Sequence, residues 1–287
     1  MRLFSLLAAA LLLLAPVTAS LASPILIVAA ENFYGDIAQQ IGGPQVAVTS
    51  ILSNPDQDPH LFEASPSVAR ALSAARIVIY NGIDYDPWIV KLLGAAAGRN
   101  RTAIVVAQLI GRKPGDNPHI WYDPQTMPAL AGALADELGR ADPVHAADYR
   151  ERLVRFRSSL APIEAKIAVL RARLAGTLVT ATEPVCGDLF AALAMQVRNG
   201  RFQLAVMNNT EPSASDVAAF EDDLRNRKVR LLVYNSQASD PVAVRLVNLA
   251  KASRIPVVGA SETEPPGKRY QEWMLSELSA LERALSE

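Results

Sequence analysis

Between Asp142 and Leu174 the chain contains no glycine, and its apolar residues Tyr149, Leu153, Phe156, Leu160, Ile163, Ile167, Leu170 and Leu174 recur at alternating steps of four and three. That spacing is the signature of one helical face. Arg150, Arg152, Arg155 and Arg157 fall off the stripe. At about 1.5 Å per residue the helix would be roughly 50 Å long, enough to cross two domains lying side by side. Asp142 before Pro143 is expected to cap it, and Gly176 to stop it. Pro162 removes a backbone donor and crowds the preceding turn, yet the stripe keeps its phase through it. A kinked but continuous helix is therefore predicted. A dimeric coiled coil fits less well, because three and a half heptads barely make a seam.

The flanking segments must supply the rest of the fold, and with half of the 287 residues hydrophobic there is material for a core on each side. Lys and Arg number 28 against 29 Asp and Glu. With no basic tract to neutralise a row of phosphates, nucleic acid is not an expected partner. Met1 and Arg2 lead into Leu6 to Ala15, almost wholly Leu and Ala, and then into small residues, the pattern of a cleavable secretory signal over residues 1–22. No other apolar run reaches the roughly 18 to 20 residues of a membrane span. The single cysteine, Cys186, excludes an internal disulfide framework and is expected to be a small buried apolar residue.

On each side of the long helix, short apolar runs alternate with helical patterns. The expected strands are Ile25 to Ala29, Val46 to Leu52, Ile77 to Tyr80 and Ala103 to Val106 before it, and Thr177 to Thr182, Phe202 to Met207, Val229 to Tyr234 and Ile255 to Gly259 after it. The predicted fold is α/β, with two lobes, each a four-stranded parallel sheet flanked by helices, joined by one long linker helix. The expected divisions are 23–140 for the first lobe, 141–175 for the linker and 176–287 for the second lobe.

Open parallel sheets bind ligands beyond the carboxyl ends of their strands. Four loops in that position carry side chains suited to a metal: His60, His119, Glu183 and Glu262. The chain has three histidines, and two share a context, Asp58-Pro-His60-Leu-Phe and Asn117-Pro-His119-Ile-Trp, in which proline stiffens the approach and an aromatic ring can wall off solvent. His145 is read as a solvent-exposed residue of the long helix. Glu63 and Asp123 are expected as caps or as acceptors that orient an imidazole. Asp84 and Asp86 are expected in a turn and a helix cap. There is no nucleotide-binding G-x-x-x-x-G-K-[ST], no G-x-S-x-G elbow and no H-E-x-x-H helix. No catalytic residue is assigned.

Taken together, Ala30-Glu-Asn-Phe-Tyr-Gly-Asp36, Asp58-Pro-His60-Leu-Phe-Glu63, Asn117-Pro-His119-Ile-Trp-Tyr-Asp-Pro124, Glu211-Pro-Ser-Ala-Ser215 and the mid-chain helix resemble the TroA-like, metal-binding solute-binding proteins of zinc and manganese ABC transporters. The likeness covers essentially the whole mature chain. It implies a periplasmic, monomeric receptor that captures a divalent metal, zinc or manganese, between two lobes and delivers it to a permease in the inner membrane. The metal is its transported ligand. The family's first two ligands fall on His60 and His119 and its third on Glu183. The fourth, usually aspartate, falls on Glu262, with Glu264 two residues away as the competitor. The chain lacks the histidine-rich loop of many zinc-specific members.

Two imidazoles and two carboxylates balance a doubly charged cation, so a site shielded from water would remain neutral overall. Monodentate carboxylates would give the four-coordinate site that zinc prefers, and bidentate ones would suit manganese. A periplasmic metallo-hydrolase, which needs an open coordination position and a general base, and a metal-dependent adhesin are the alternatives.

Overall fold

Seven short runs rich in valine, isoleucine and leucine, with one polar three-residue strand, pair as parallel strands, and each connection between successive strands includes at least one helix. The computed structural model describes residues 23–95, 101–208, 210–238 and 240–286, so the expected signal segment lies outside the described residues. The first half contains β1 (Ile25–Glu31), α1 (Asn32–Gly42), β2 (Val46–Leu52), α2 (Pro66–Ala74), β3 (Ile77–Tyr80), α3 (Pro87–Ala95), β4 (Thr102–Val105), α4 (Val106–Leu109) and α5 (Thr126–Ala141). The middle is α6 (Ala146–Ser159) and α7 (Ala161–Leu174). The second half contains β5 (Leu178–Ala181), α8 (Gly187–Ala192), β6 (Gln196–Arg198), α9 (Gly200–Met207), α10 (Ala214–Arg225), β7 (Leu232–Asn235), α11 (Pro241–Ala252), β8 (Val257–Ala260) and α12 (Tyr270–Ser286). The sheets run β2-β1-β3-β4 and β6-β5-β7-β8, the same order in both lobes.

The linker is two helical segments in series. Leu160 joins them in a right-handed helical conformation (φ −83°, ψ −15°), and Pro162 occupies the first turn of α7, where a missing N–H leaves no gap. The stripe does bury: Tyr149, Phe156, Leu160, Ile163, Leu170 and Leu174 are in the core, and Leu153 and Ile167 pack against it. Gly176 adopts φ +77° just past the end. Asp142 does not cap the helix. A 3-10 turn, Pro143–His145, intervenes, and the Asp142 carboxylate instead accepts from the Tyr149 hydroxyl (2.8 Å) and contacts His145 Nδ1 (2.6 Å), so His145 is paired and partly covered rather than free in solvent.

One strand is misplaced by the sequence reading. Phe202 to Met207 belongs to α9, and the second strand of the sheet in the second half is the three-residue β6, exposed along its length. A six-residue run with five apolar members has no periodicity that separates strand from helix. Here Phe202 is buried, Val206 packs against the same cluster, and that four-residue interval is helical.

The main apolar core crosses the lobe boundary. It includes Ile27 and Phe33 from the first half, Val179 and Leu189 from the second, Leu160 and Leu170 from the linker, and Trp273 and Leu278 from α12. Phe33, Trp121, Tyr122 and Trp273 form its aromatic seam, with ring centroids 4.9 to 6.2 Å apart in the successive pairs. Among the described residues no helix is long and apolar enough to cross a membrane.

Candidate metal centre

The strand order places the candidate side chains. His60 follows β2 in a 3-10 turn, Pro59–Leu61, started by the Asp58 carboxylate accepting from its backbone N–H at 2.9 Å. His119 follows β4 through a longer connection and immediately precedes the turn Ile120–Tyr122. Glu183 lies two residues beyond β5 and Glu262 two beyond β8. Parallel sheets put all these ends on one side, and the two lobes turn them toward each other.

The four residues converge: one ligand atom from each lies within 4.8 Å of every other. Glu262 Oε2 is 3.2 Å from His119 Nε2 and 3.5 Å from His60 Nε2. Neither imidazole Nε2 makes a hydrogen bond, although both are shut off from solvent. Two buried nitrogens aimed at a shared carboxylate but out of hydrogen-bonding alignment are what a cation between them would satisfy.

Burial alone would raise the Glu262 carboxyl, but His119, with His60 beside it, pulls it well below the usual carboxylate range. Burial would lower His60, yet the Glu262 carboxylate, helped by Glu183 and Asp58, raises it to about 9. Glu183 is pushed up by burial and by the neighbouring Glu262 charge. Glu264 takes no part. Asn32 clamps its backbone through two hydrogen bonds, and burial, with Asp36 and Glu272 nearby, raises its carboxyl to about 9.

The residues that hold the cluster were largely missed in the sequence. His119 Nδ1 meets Asn117 Oδ1 at 2.8 Å, and the Asn117 amide donates across the cleft to the Pro184 carbonyl at 2.8 Å, beside Glu183. Asp123 does not orient His119: it accepts from the Gln125 backbone and pairs with Arg112. Glu63 is exposed. Tyr85 donates to Glu262 Oε2 at 2.9 Å and packs edge-on against His60, while Trp121 packs edge-on against His119. Asp86, read with Asp84 as turn and helix-cap residues, accepts from the backbone N–H groups of Asn81 and Gly82. Asn235 ends β7 and Gln237 lies two residues beyond it, at another strand end that reaches the cleft. Looking beyond every strand, rather than only at metal-ligand residue types, would have found them.

The model of the family described as "Zinc-uptake complex component A periplasmic" (ZnuA) matches residues 27–284. The chain belongs to this family. Its curated relatives include the metal ABC transporter substrate-binding lipoprotein ScbA of Streptococcus cristatus, 22% identical over 87% of this chain and 83% of its own length. Among solved structures, the periplasmic zinc-binding protein TroA from Treponema pallidum superposes with a TM-score of 0.76 at 18% identity, covering 92% of this chain and 99% of that one. A Mn-bound periplasmic metal-binding protein from Candidatus Liberibacter asiaticus superposes with a TM-score of 0.70, also at 18% identity, over 91% and 99%. These likenesses establish the two-lobed fold. Membership of the ZnuA family makes the chain an extracytoplasmic metal-binding component of a metal ABC transporter and not an enzyme, which sets aside the hydrolase alternative.

Proposed function

We propose that His60 and His119 from residues 23–140, and Glu183 and Glu262 from residues 176–287, grip a single divalent transition metal, zinc or manganese, as cargo. The chain would hand it to a membrane permease of the ABC type. The observation that carries this reading is the convergence of four ligand atoms within 4.8 Å from loops scattered along the chain. Two neutral imidazoles and two carboxylates supply the donor types and charge that suit such an ion. In this reading residues 141–175 act as a stiff spacer. The shared apolar core favours small lobe motions over wide opening, because packed elements slide less readily than loops hinge. The segment 1–22 would direct export to the periplasm, where a monomer would meet its permease.

Calorimetric titration of the purified chain with zinc and with manganese tests the site. One ion should bind per chain, and a His60→Ala, His119→Ala double variant should bind at least about a hundredfold more weakly, since loss of even a supporting partner of a metal ligand costs about 10- to 100-fold. Unchanged affinity in the double variant would overturn the assignment.

A further inference from the structure

Asn235 ends β7, which lies between β5 and β8 in its sheet and pairs with Ala260 at the end of β8. It therefore stands between the two strands that deliver Glu183 and Glu262. Its side-chain amide Nδ2 donates to both carboxylates, to Glu183 Oε2 at 3.0 Å and to Glu262 Oε1 at 2.5 Å. The amide cannot be reversed without loss, because Oδ1 accepts from the Gln237 backbone N–H at 2.9 Å. Asn235 is 3% exposed, so water does not compete for these contacts.

We infer that Asn235 is the specificity-determining residue of the metal centre: by occupying one oxygen of each carboxylate it holds both in single-oxygen coordination and so selects a four-coordinate ion over a six-coordinate one. The geometry is selective about which oxygen remains. Glu262 turns Oε1 to Asn235; Oε2, which accepts from Tyr85 at 2.9 Å and keeps a second lone pair, is the oxygen that lies 3.2 and 3.5 Å from the two imidazole nitrogens. Glu183 turns Oε2 to Asn235, which leaves Oε1 as the oxygen not held by that amide. Two nitrogens and two single oxygens make the tetrahedral set that zinc favours, whereas manganese prefers more oxygen ligands. Recruiting a second oxygen from either acid would strip a buried donor of its partner, which is costly in a dry site. An apolar residue at 235 removes that restraint.

This inference rests on the four-residue cluster being the cation site. A merely structural Asn235, one that only eases the repulsion between two carboxylates, would weaken zinc and manganese binding alike. The ratio of the two affinities separates the roles. The mature chain and its N235A and N235S variants are titrated with zinc and with manganese against a chromophoric chelator. Each is also loaded with Co(II), whose visible absorption is intense when four-coordinate and weak when six-coordinate. The wild type should give the intense spectrum and a strong preference for zinc. The alanine variant should lose intensity and narrow the zinc-to-manganese ratio by about tenfold or more, the usual scale for removing a partner of a metal ligand.

A weak six-coordinate spectrum in the wild type, or an unchanged ratio and spectrum in N235A, would overturn the inference. If N235A does not fold, N235S, whose short hydroxyl cannot reach both acids, takes its place, and the wild-type spectrum decides whatever the variants do. Failure here is distinguishable from failure of the proposed function. Metal binding that survives the His60, His119 double variant defeats the site itself, while binding lost there with an unaltered ratio in N235A defeats only the role of Asn235.

Discussion

The imidazole Nε2 of His60 lies 3.5 Å from Oε2 of Glu262, a contact across the cleft between residues of opposite lobes. Without metal this is an ion pair in a nearly dry site, and it ties metal capture to proton release. Raised to about 9, His60 carries a proton at neutral pH that a metal must displace. Metal affinity should therefore keep rising from pH 6.5 toward about 9 instead of levelling off near the ordinary histidine value. Calorimetry in buffers of different ionisation enthalpy at pH 7.5 should detect the released proton; a buffer-independent enthalpy would contradict it.

The same pair governs the stability of the metal-free protein, with opposite signs at its two ends. Because folding raises His60, its contribution is fully present below about 6.5 and is lost as pH rises through about 9. Because folding lowers Glu262, its contribution is present above the ordinary glutamate value and is lost on acidification below it. Urea unfolding should show metal-free stability falling between pH 6.5 and 9, while His60→Ala flattens that slope. A slope unchanged by the substitution would rule the account out.

Gly187 opens α8 and faces the residue that orients His119. A Cβ there would stand 2.8 Å from the Asn117 amide nitrogen, which must then give up its place against the Pro184 carbonyl. Gly187→Ala should weaken metal binding by roughly tenfold through His119, the scale expected for disturbing a ligand's supporting partner. Chelator competition measures it, and wild-type affinity would show that Asn117 relocates without consequence.

Arg112 bridges the lobes, meeting Asp123 in its own lobe and Asp188 in the other, both at 2.8 Å. Only partly exposed, this bridge, in which one guanidinium nitrogen is shared between two carboxylates, should count for more than a surface pair. Arg112→Ala should speed metal release about tenfold or more with little effect on capture, on the basis of about 1.5 kcal/mol, the lower end for hydrogen bonds to charged groups. Stopped-flow release into excess chelator reads this directly, and an unaltered release rate would place the latch elsewhere.

Trp121 is fully buried, 4.9 Å from Phe33, 5.0 Å from Tyr85 and 5.2 Å from His119 between ring centroids. Trp121→Ala should cost about 3–5 kcal/mol in urea unfolding, as large-to-small substitutions in packed aromatic cores do. A loss under about 1 kcal/mol would mean the seam repacks freely.

Much of this was legible in the order of residues, because periodicity is local. The stripe from Tyr149 to Leu174 announced the linker even through Pro162, since a proline in the first turn of a helical segment breaks no phase. The strands Val46–Leu52 and Ile77–Tyr80 stand where their apolar runs stand. Legibility failed where the signal was short or conditional: β6 is three exposed residues with no apolar pattern, and α9 is an apolar run whose helicity depends on packing against Phe220.

For the site, the chain order offered the candidate donors, since His60, His119, Glu183 and Glu262 are side chains of ligand type in the connections that follow strands. What only the tertiary structure decided is how they are held: that Glu262 and not Glu264 faces the histidines, that Asn117 and not Asp123 sets the His119 ring, and that Asn235 divides one amide between two acids. The reason is physical. A residue's capacity to bind metal belongs to its own side chain, whereas its direction and free oxygens depend on hydrogen bonds to partners far away in the chain, which exist only once two sheets have faced each other.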